Sequence, residues 1–447
     1  MVEILPQLDS HQNLLPTVFD EFSELHHLPT DCEVWPLDQT HSASGSRNSL
    51  LNVQNSIRAA ASHGPWAWPE RPVVFISDPH ADAEGFLRSL VAAGTIRRTG
   101  LGIRAFELTD FGHRAQIVIG GDCLDKGPSN LDLLDAIGAL LSTDADVHLL
   151  AGNHDLRLFV ALAALDLPRT SLTEHLFVRM ARKAIPLLCE ISNRFDLTDI
   201  TASVPDEATC RAKLFPDNDW FERFPAEAGG FLSAEIVQKE LCKMDEKVAG
   251  FDAAIARAGL TMRQTYAAIM QCRRLFLDET GAYNWFFQQM KAVKRSGSLL
   301  FVHAGLCDRM SQMLAEEGPD AVNRKFLRDA HMGPFRFYTG EVANMVRTKY
   351  RRTDKQLTSH GVDALFRMGI KMVVQGHVNN HAGQRILTKN GLLHLEGDVT
   401  LDRASRALEG LQGIGVGATL IYPSGDVVGL SVDYPKAKHF KPELFAR

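Results

Sequence analysis

Five apolar runs in this chain each stop on an acidic, imidazole or amide side chain. They are "VVFISDPH" (Asp78, His80), "IVIGGDCLD" (Asp122, Asp125), "LLAGNHD" (Asn153, His154, Asp155), "LLFVHAG" (His303) and "MVVQGH" (His377). A short apolar run bounded by turn residues reads as a buried strand. A charged or polar group left unpaired at such a strand costs several kcal/mol, so five of them imply shared partners. In open α/β sheets the carboxyl ends of the strands are where loops converge and ligands bind.

The spacing between the runs fixes the class. "PVVFISD" is followed by the helical pattern "EGFLRSLVAAG", and "RAQIVIGGD" by "SNLDLLDAIGALLS", with Ser129 placed as N-cap. "DVHLLAGNHD" is the next strand. Strand and helix alternate, the signature of an α/β fold. "GIRAFEL" and "RAQIVIGGD" are expected to pair as a hairpin around "TDFGH". From 157 to 296 the apolar spacing is helical throughout, with no strand and no internal repeat. Strands return in "SLLFVHAGL", "GIKMVVQGH" and "GLLHLEGD", then in a hairpin around "PSGD". The expected domains are therefore an N-terminal extension over 1–70, a core over 71–156 and 297–447, and a helical insertion over 157–296. A loop of that length without secondary structure would be implausible. Within the extension, 41–50 is expected to be a flexible link and 51–62 a short helix, with Trp66 and Trp68 packed on the domain.

Composition narrows the function. With 48 basic and 54 acidic side chains the net charge is −6, which argues against general nucleic-acid binding. The seven Cys are scattered without a CxxC, as in the reduced thiols of a cytoplasmic protein. No signal peptide is expected, nor a membrane span, because no apolar run approaches about 20 residues.

Asp, His and Asn donors gathered at one rim suit borderline divalent cations. A central Asp122 carboxylate could bridge two of them, and two metals suit hydrolysis of a phosphate ester. Asp125, three residues later, would orient His154 and favour its imidazolium, making His154 a general acid for the leaving alcohol. Lys126 would be a point charge for the phosphate.

The blocks "SDPH", "GDCLDKGPS", "GNHDLR", "FVHAGL" and "VVQGHV", in this order, resemble the calcineurin-like metallophosphoesterases. The likeness is closer to the phosphoprotein-phosphatase branch and its bacterial relatives, which include diadenosine tetraphosphatases. It covers roughly 72–157 and 297–435. It implies a four-layered α/β/β/α sandwich with two divalent metals, Mn expected and Fe or Zn as alternatives. It also implies that Asp78, His80 and Asp122 hold one metal and that Asp122, Asn153, His303 and His377 hold the other. Asp125 and His154 become the acid pair, and Lys126, Arg157 and Arg347 grip the phosphate, with Arg351 a rival to Arg347. Three positions depart from the family pattern: Ala81 stands for the usual Gly, Lys126 for Arg and Asp155 for Glu. Position 379 is Asn, so the second His of a GHxH motif is absent.

The expected function is a metal-dependent phosphatase hydrolysing phosphate monoesters, on phosphorylated protein side chains, by attack of a metal-bridging hydroxide. One alternative is a hydrolase of dinucleoside polyphosphates or another small phosphorylated molecule. Another is a non-catalytic scaffold with a relic core. The insertion is expected to act as a cap over the metal rim. Cys123 reads as a packing thiol, "WFERFP" and "YNWFFQQM" as insertion core, and His381 as structural or substrate-contacting.

Overall fold

The computed structural model describes residues 14–16, 28–35 and 50–445. In chain order its strands begin with β1 (Cys32–Val34), β2 (Val73–Ile76), β3 (Ile96–Arg98), β4 (Phe106–Leu108), β5 (Gln116–Ile119) and β6 (Asp146–Leu150). β7 (Met290–Lys291), β8 (Val293–Ser296), β9 (Leu299–Val302), β10 (Met372–Gln375), β11 (Arg385–Lys389) and β12 (Leu392–Glu396) follow. β13 (Gly417–Ile421), β14 (Val427–Ser431) and β15 (Ala437–Phe440) close the series. An eight-stranded mixed sheet runs β1-β15-β14-β13-β2-β5-β6-β7 and a five-stranded one β11-β12-β10-β9-β8.

Side-chain alternation turns these sheets into a sandwich. Val73 and Phe75 of β2 join Leu299, Phe301, Met372 and Val374 in one apolar cluster between the sheets. Val74 and Ile76, one residue out of phase, belong to the cluster beneath the helices. Phe75 and Phe301 meet with ring centroids 5.9 Å apart, and each such burial stabilises by about 2–3 kcal/mol. The layering is that of a metallophosphoesterase sandwich.

Helices on the outer face start on side-chain caps. Asp82 accepts from Gly85 N ahead of the helix Ala83–Ala92, and Ser129 from Asp132 N ahead of Asn130–Leu141. Each cap satisfies an otherwise orphaned amide. The parallel run β2-β5-β6 and the parallel pair β9-β10 bring the five polar strand ends to one edge.

The expected hairpin between "GIRAFEL" and "RAQIVIGGD" does not form. β4 pairs with β3, while β5 lies between β2 and β6 in the large sheet. "DFGHR" is a short helix, Asp110–Arg114, capped by Thr109 Oγ1 on Gly112 N. The reason is burial: Ile117, Val118 and Ile119 are all buried and need a neighbour on both sides.

Between 157 and 296 the chain is helical as far as Asn284–Gln289, then forms β7 and β8 before 297. "MK" and "VKRS" carry too few apolar residues to read as strands, and their pairing with β6 and β9 is what defines them. The insertion helices share one apolar cluster with the core helices; Phe224 of the insertion and Phe335 of the core, for instance, meet at 6.0 Å.

Within residues 1–70, β1 pairs with β15 and a helix spans Leu50–Ser62. That helix is pinned to β11 by a 2.7 Å bond between Ser56 Oγ and Thr388 Oγ1. Trp66 and Trp68 stack on each other at 5.1 Å. The link expected over 41–50 lies outside the described residues, except that Leu50 opens the helix.

Candidate metal centre and acid pair

Asp122 is the hub. It follows β5 on a left-handed turn, φ 54°, tight against Gly152, where a Cβ would overlap the Asp122 amide and carboxylate. Its Oδ1 accepts from His154 N at 2.7 Å, at the start of the helix Asn153–Ala164. Its Oδ2 is 3.4 Å from His303 Nε2, 3.8 Å from His80 Nε2 and 3.9 Å from His154 Nε2.

Two sets of potential ligands result among the described residues: His80, Asp122 and His154, and Asp122, His303 and His377. They share Asp122, an arrangement consistent with a binuclear metal centre. Asp78 lies beside the first set, Oδ1 3.8 Å from His80 Nε2, with Oδ2 held by Ser77 Oγ and His377 N. Asn153 joins the second. Its carboxamide can turn its NH2 to His377 Nδ1 at 2.9 Å and Val346 O at 3.3 Å, while its oxygen accepts from His154 N at 3.2 Å. Turned the other way, its oxygen faces those two acceptors, the orientation that an ion shared with His377 would favour.

The residues fit divalent cations. His303 Nδ1 donates to Gly120 O at 2.8 Å, and its Nε2 is buried without a hydrogen-bond partner. His377 Nε2 is equally orphaned. Buried polar atoms are normally satisfied, and imidazole oriented by a carbonyl on one nitrogen is the usual metal-ligand arrangement.

The electrostatics agree. Burial opposes the charge on Asp122, yet His303 and His154 hold its carboxyl well below the usual range. Burial, with Asp122 adding to it, pushes Asp78 up to about 6. Burial alone would lower His303, but Asp122 and Asp78 drive it up to about 10. Burial keeps His80 and His377 neutral, well below the ordinary imidazole value.

The expected acid pair is in contact, His154 Nδ1 2.8 Å from Asp125 Oδ2, but the imidazolium is not favoured as expected: burial, with Arg157 and Lys183 adding to it, lowers the His154 pKa despite Asp122 and Asp125. Asp125 is set by Asn130, whose Oδ1 accepts from Asp125 N at 2.8 Å. Asp155 is completely buried and braces the loop, Oδ1 accepting from Cys123 N and Leu124 N at 2.9 and 3.0 Å and Oδ2 from Gly152 N. Cys123 is a buried thiol pushed well above its ordinary pKa by burial.

Of the expected anion-binding residues, Lys126 leans over the ligands, Nζ 2.8 Å from His80 Nε2. Arg157 and Arg347 both lie beside Tyr338, whose hydroxyl, despite burial, they hold below its ordinary pKa and whose ring lies 4.7 Å beneath the Arg347 guanidinium. His381 is away from this group, half-exposed and 3.5 Å from Glu409.

Two contacts had no sequence signal. Lys183, in the insertion, places Nζ 3.0 Å from Asp125 Oδ2. Glu190, also in the insertion, accepts from Ser129 Oγ, Asn130 N, Asn130 Nδ2 and Leu131 N at 2.7–3.0 Å.

A sandwich whose strand ends present two ligand sets sharing one carboxylate defines a metal-dependent phosphoesterase. Residues 71–238 match the family model of the calcineurin-like phosphoesterases, so this part of the chain is similar to the calcineurin-like metallophosphoesterase superfamily.

Solved structures with a similar outline include a cold-active protein-tyrosine phosphatase from a psychrophilic Shewanella species. It is 12% identical, with 83% of this chain and 80% of that one covered and a TM-score of 0.44. A protein serine/threonine phosphatase from Saccharomyces cerevisiae is 12% identical over 87% and 89%, TM-score 0.37. A putative diadenosine tetraphosphatase is 12% identical over 82% and 98%, TM-score 0.28. No curated protein matches the sequence. Among the described residues no helix is long and apolar enough to cross a membrane.

Proposed function

We propose that this chain hydrolyses phosphate monoesters, acting on phosphorylated protein side chains, with Asp78, His80, Asp122, Asn153, His303 and His377 as the ligands of two divalent ions. The observation that carries this reading is the single Asp122 oxygen within 3.4–3.9 Å of three imidazole nitrogens. Two cations bound there would supply Lewis acidity and a water of lowered pKa.

The chain's own residues do the rest. His154, with Nδ1 anchored on Asp125, presents Nε2 as the proton donor. In the reaction water adds to phosphorus and gives up one proton, the P–O bond to the alcohol breaks, and the departing oxygen takes a proton from His154, which the proton lost by water replaces. Lys126, Arg157 and Arg347 hold the phosphate. The insertion caps the rim, a role supported by its Lys183 and Glu190 contacts with the core.

A second reading, hydrolysis of a dinucleoside polyphosphate or another small phosphorylated molecule, is favoured by the surplus of cations beside His154. Turnover of para-nitrophenyl phosphate, phosphopeptides and a dinucleoside polyphosphate in added Mn²⁺ separates the two by kcat/KM. Asp122→Asn is expected to cut every rate by at least about a thousandfold. No turnover with any of Mn²⁺, Fe²⁺, Zn²⁺ or Co²⁺ overturns the proposal.

A further inference from the structure

The acid pair has a third member that comes from outside the core. Lys183 sits in the 3-10 turn Arg182–Ala184 between two insertion helices. Its ammonium is 3.0 Å from Asp125 Oδ2, the same oxygen that His154 Nδ1 reaches at 2.8 Å. Its side chain is 42% exposed, so a bound molecule can reach it. Lys183 and His154, the group that would protonate the departing oxygen, line the same small cavity.

The charges around it do not balance. Asp125 is shared between Lys183 and His154. Arg157 lies close enough to Lys183 for the two cations to repel, with burial as the larger influence in lowering the Lys183 pKa. One Arg157 nitrogen, Nη1, is buried with no hydrogen-bond partner. Glu240, in the lining of the neighbouring cavity, is committed to Arg179 through two bonds of 2.5 and 2.9 Å.

Past Arg157 the cations continue. A small cavity lined by Asp125, His154, Arg157 and Lys183 shares Met180 as a wall with a cavity of about 170 Å³ bounded by Arg179, Glu240, Tyr338 and Arg347. Among the described residues of the two linings, Arg157, Lys183, Arg179 and Arg347 face only Asp125 and Glu240, a local cationic excess that favours an anionic ligand.

We propose that Lys183 is a specificity-determining residue that selects phosphoesters whose leaving group carries a second negative charge. This rests on the phosphoesterase reading and narrows its substrate class. The bland alternative is a tether: Lys183 joins the insertion to Asp125 and reads nothing in the substrate.

The test uses the full chain with 4-carboxyphenyl phosphate and its neutral amide, 4-carbamoylphenyl phosphate, whose phenols are of similar acidity. The wild-type protein is expected to favour the carboxylate by about tenfold in kcat/KM, the size of one partly buried charge contact. Lys183→Met should bring that ratio close to one, and Lys183→Arg should restore most of it. A tether would slow both substrates equally and leave the ratio intact, which overturns the proposal.

A wild-type ratio of one or below overturns it without any variant. Calorimetric binding of the same two esters in Ca²⁺ separates the two layers of the argument. Tighter binding of the carboxylate, lost in Lys183→Met but without turnover, keeps this inference and removes the phosphatase reading. Turnover without discrimination does the reverse, and neither binding nor turnover removes both.

Discussion

The strand-end rim and the helical insertion are built on opposite principles. Among the described residues, ten non-glycine positions have left-handed backbone, and seven of them are Asp78, His80, Ala81, Asp122, Asp125, Lys126 and His377. Between 157 and 296 the only left-handed residue is Gly259. Each strained residue costs about 1–2 kcal/mol, so the rim carries a burden comparable to the net stability of a whole domain.

Interlocked backbone bonds hold it: His80 N to Asp122 O at 3.0 Å, Asp78 N to Gly121 O at 3.1 Å, Ala81 N to Cys123 O at 2.7 Å and Gly127 N to His80 O at 2.8 Å. The insertion spends nothing comparable. Its helices Ala234–Arg257 and Met262–Leu277 start on Ser233 and Thr261 caps and bury amphipathic faces. Strain is concentrated where ligands must converge, and the cap is free of it.

If that contrast is right, the rim is set by its polar contacts with the insertion rather than by the apolar cluster the two regions share, and the largest effect should come from cutting one such contact. Glu190 takes four hydrogen bonds at the start of the helix Asn130–Leu141, two of them from Asn130, which itself holds Asp125. A carboxylate there also complements the helix dipole. Glu190→Ala should cost about 3 kcal/mol in urea unfolding and lower kcat by about tenfold through the slackened Asp125. Glu190→Gln, which keeps the shape, should fall between. An unchanged kcat would mean that the rim holds itself without the insertion.

Acid should sharpen the contrast from the other side. His175 is buried in the insertion against Trp220 and Phe224, at 4.9 and 5.0 Å. Burial lowers its pKa from 6.5 to about 3, with Arg179 adding to the fall and Glu240 opposing it. The unfolded chain takes up this proton near pH 6.5 and the folded chain only near 3. The stability is therefore complete above 6.5 and lost progressively as pH falls toward 3. By pH 5 the loss from this group is about 2 kcal/mol. His175→Phe should remove that part of the slope in denaturant titrations between pH 7 and 5; an identical slope in the two proteins refutes the assignment.

What the sequence made legible follows the same division. All six proposed ligands and the Asp125/His154 pair were readable because each follows an apolar run, where a polar residue stands out. The contacts of Lys183 and Glu190 were not. In "RMARKAIPLLCE" a Lys and a Glu are ordinary helix-surface residues, and nothing local points to partners about sixty residues away. β7, β8 and β15 escaped for a related reason: "MK", "VKRS" and "AKHF" owe their conformation to a neighbouring strand. The hairpin around "TDFGH" was misread because two strands close in sequence suggested pairing, whereas β5 is claimed by the larger sheet.

One departure from the family pattern allows the smallest test and the most direct one of rim strain. Ala81 occupies the position where relatives are expected to carry Gly, and its φ is +56° with the side chain fully buried. Ala81→Gly would relieve about 1–2 kcal/mol of left-handed strain. Against that stand the lost methyl packing and the greater freedom of Gly in the unfolded chain, together about 1 kcal/mol. The expected outcome is a gain of up to about 1 kcal/mol in urea unfolding, with activity changed less than about twofold. A loss beyond about 1.5 kcal/mol would show that the methyl contact outweighs the backbone strain. The rim would then be held by packing as the insertion is, and the contrast between the two regions would fail at that residue.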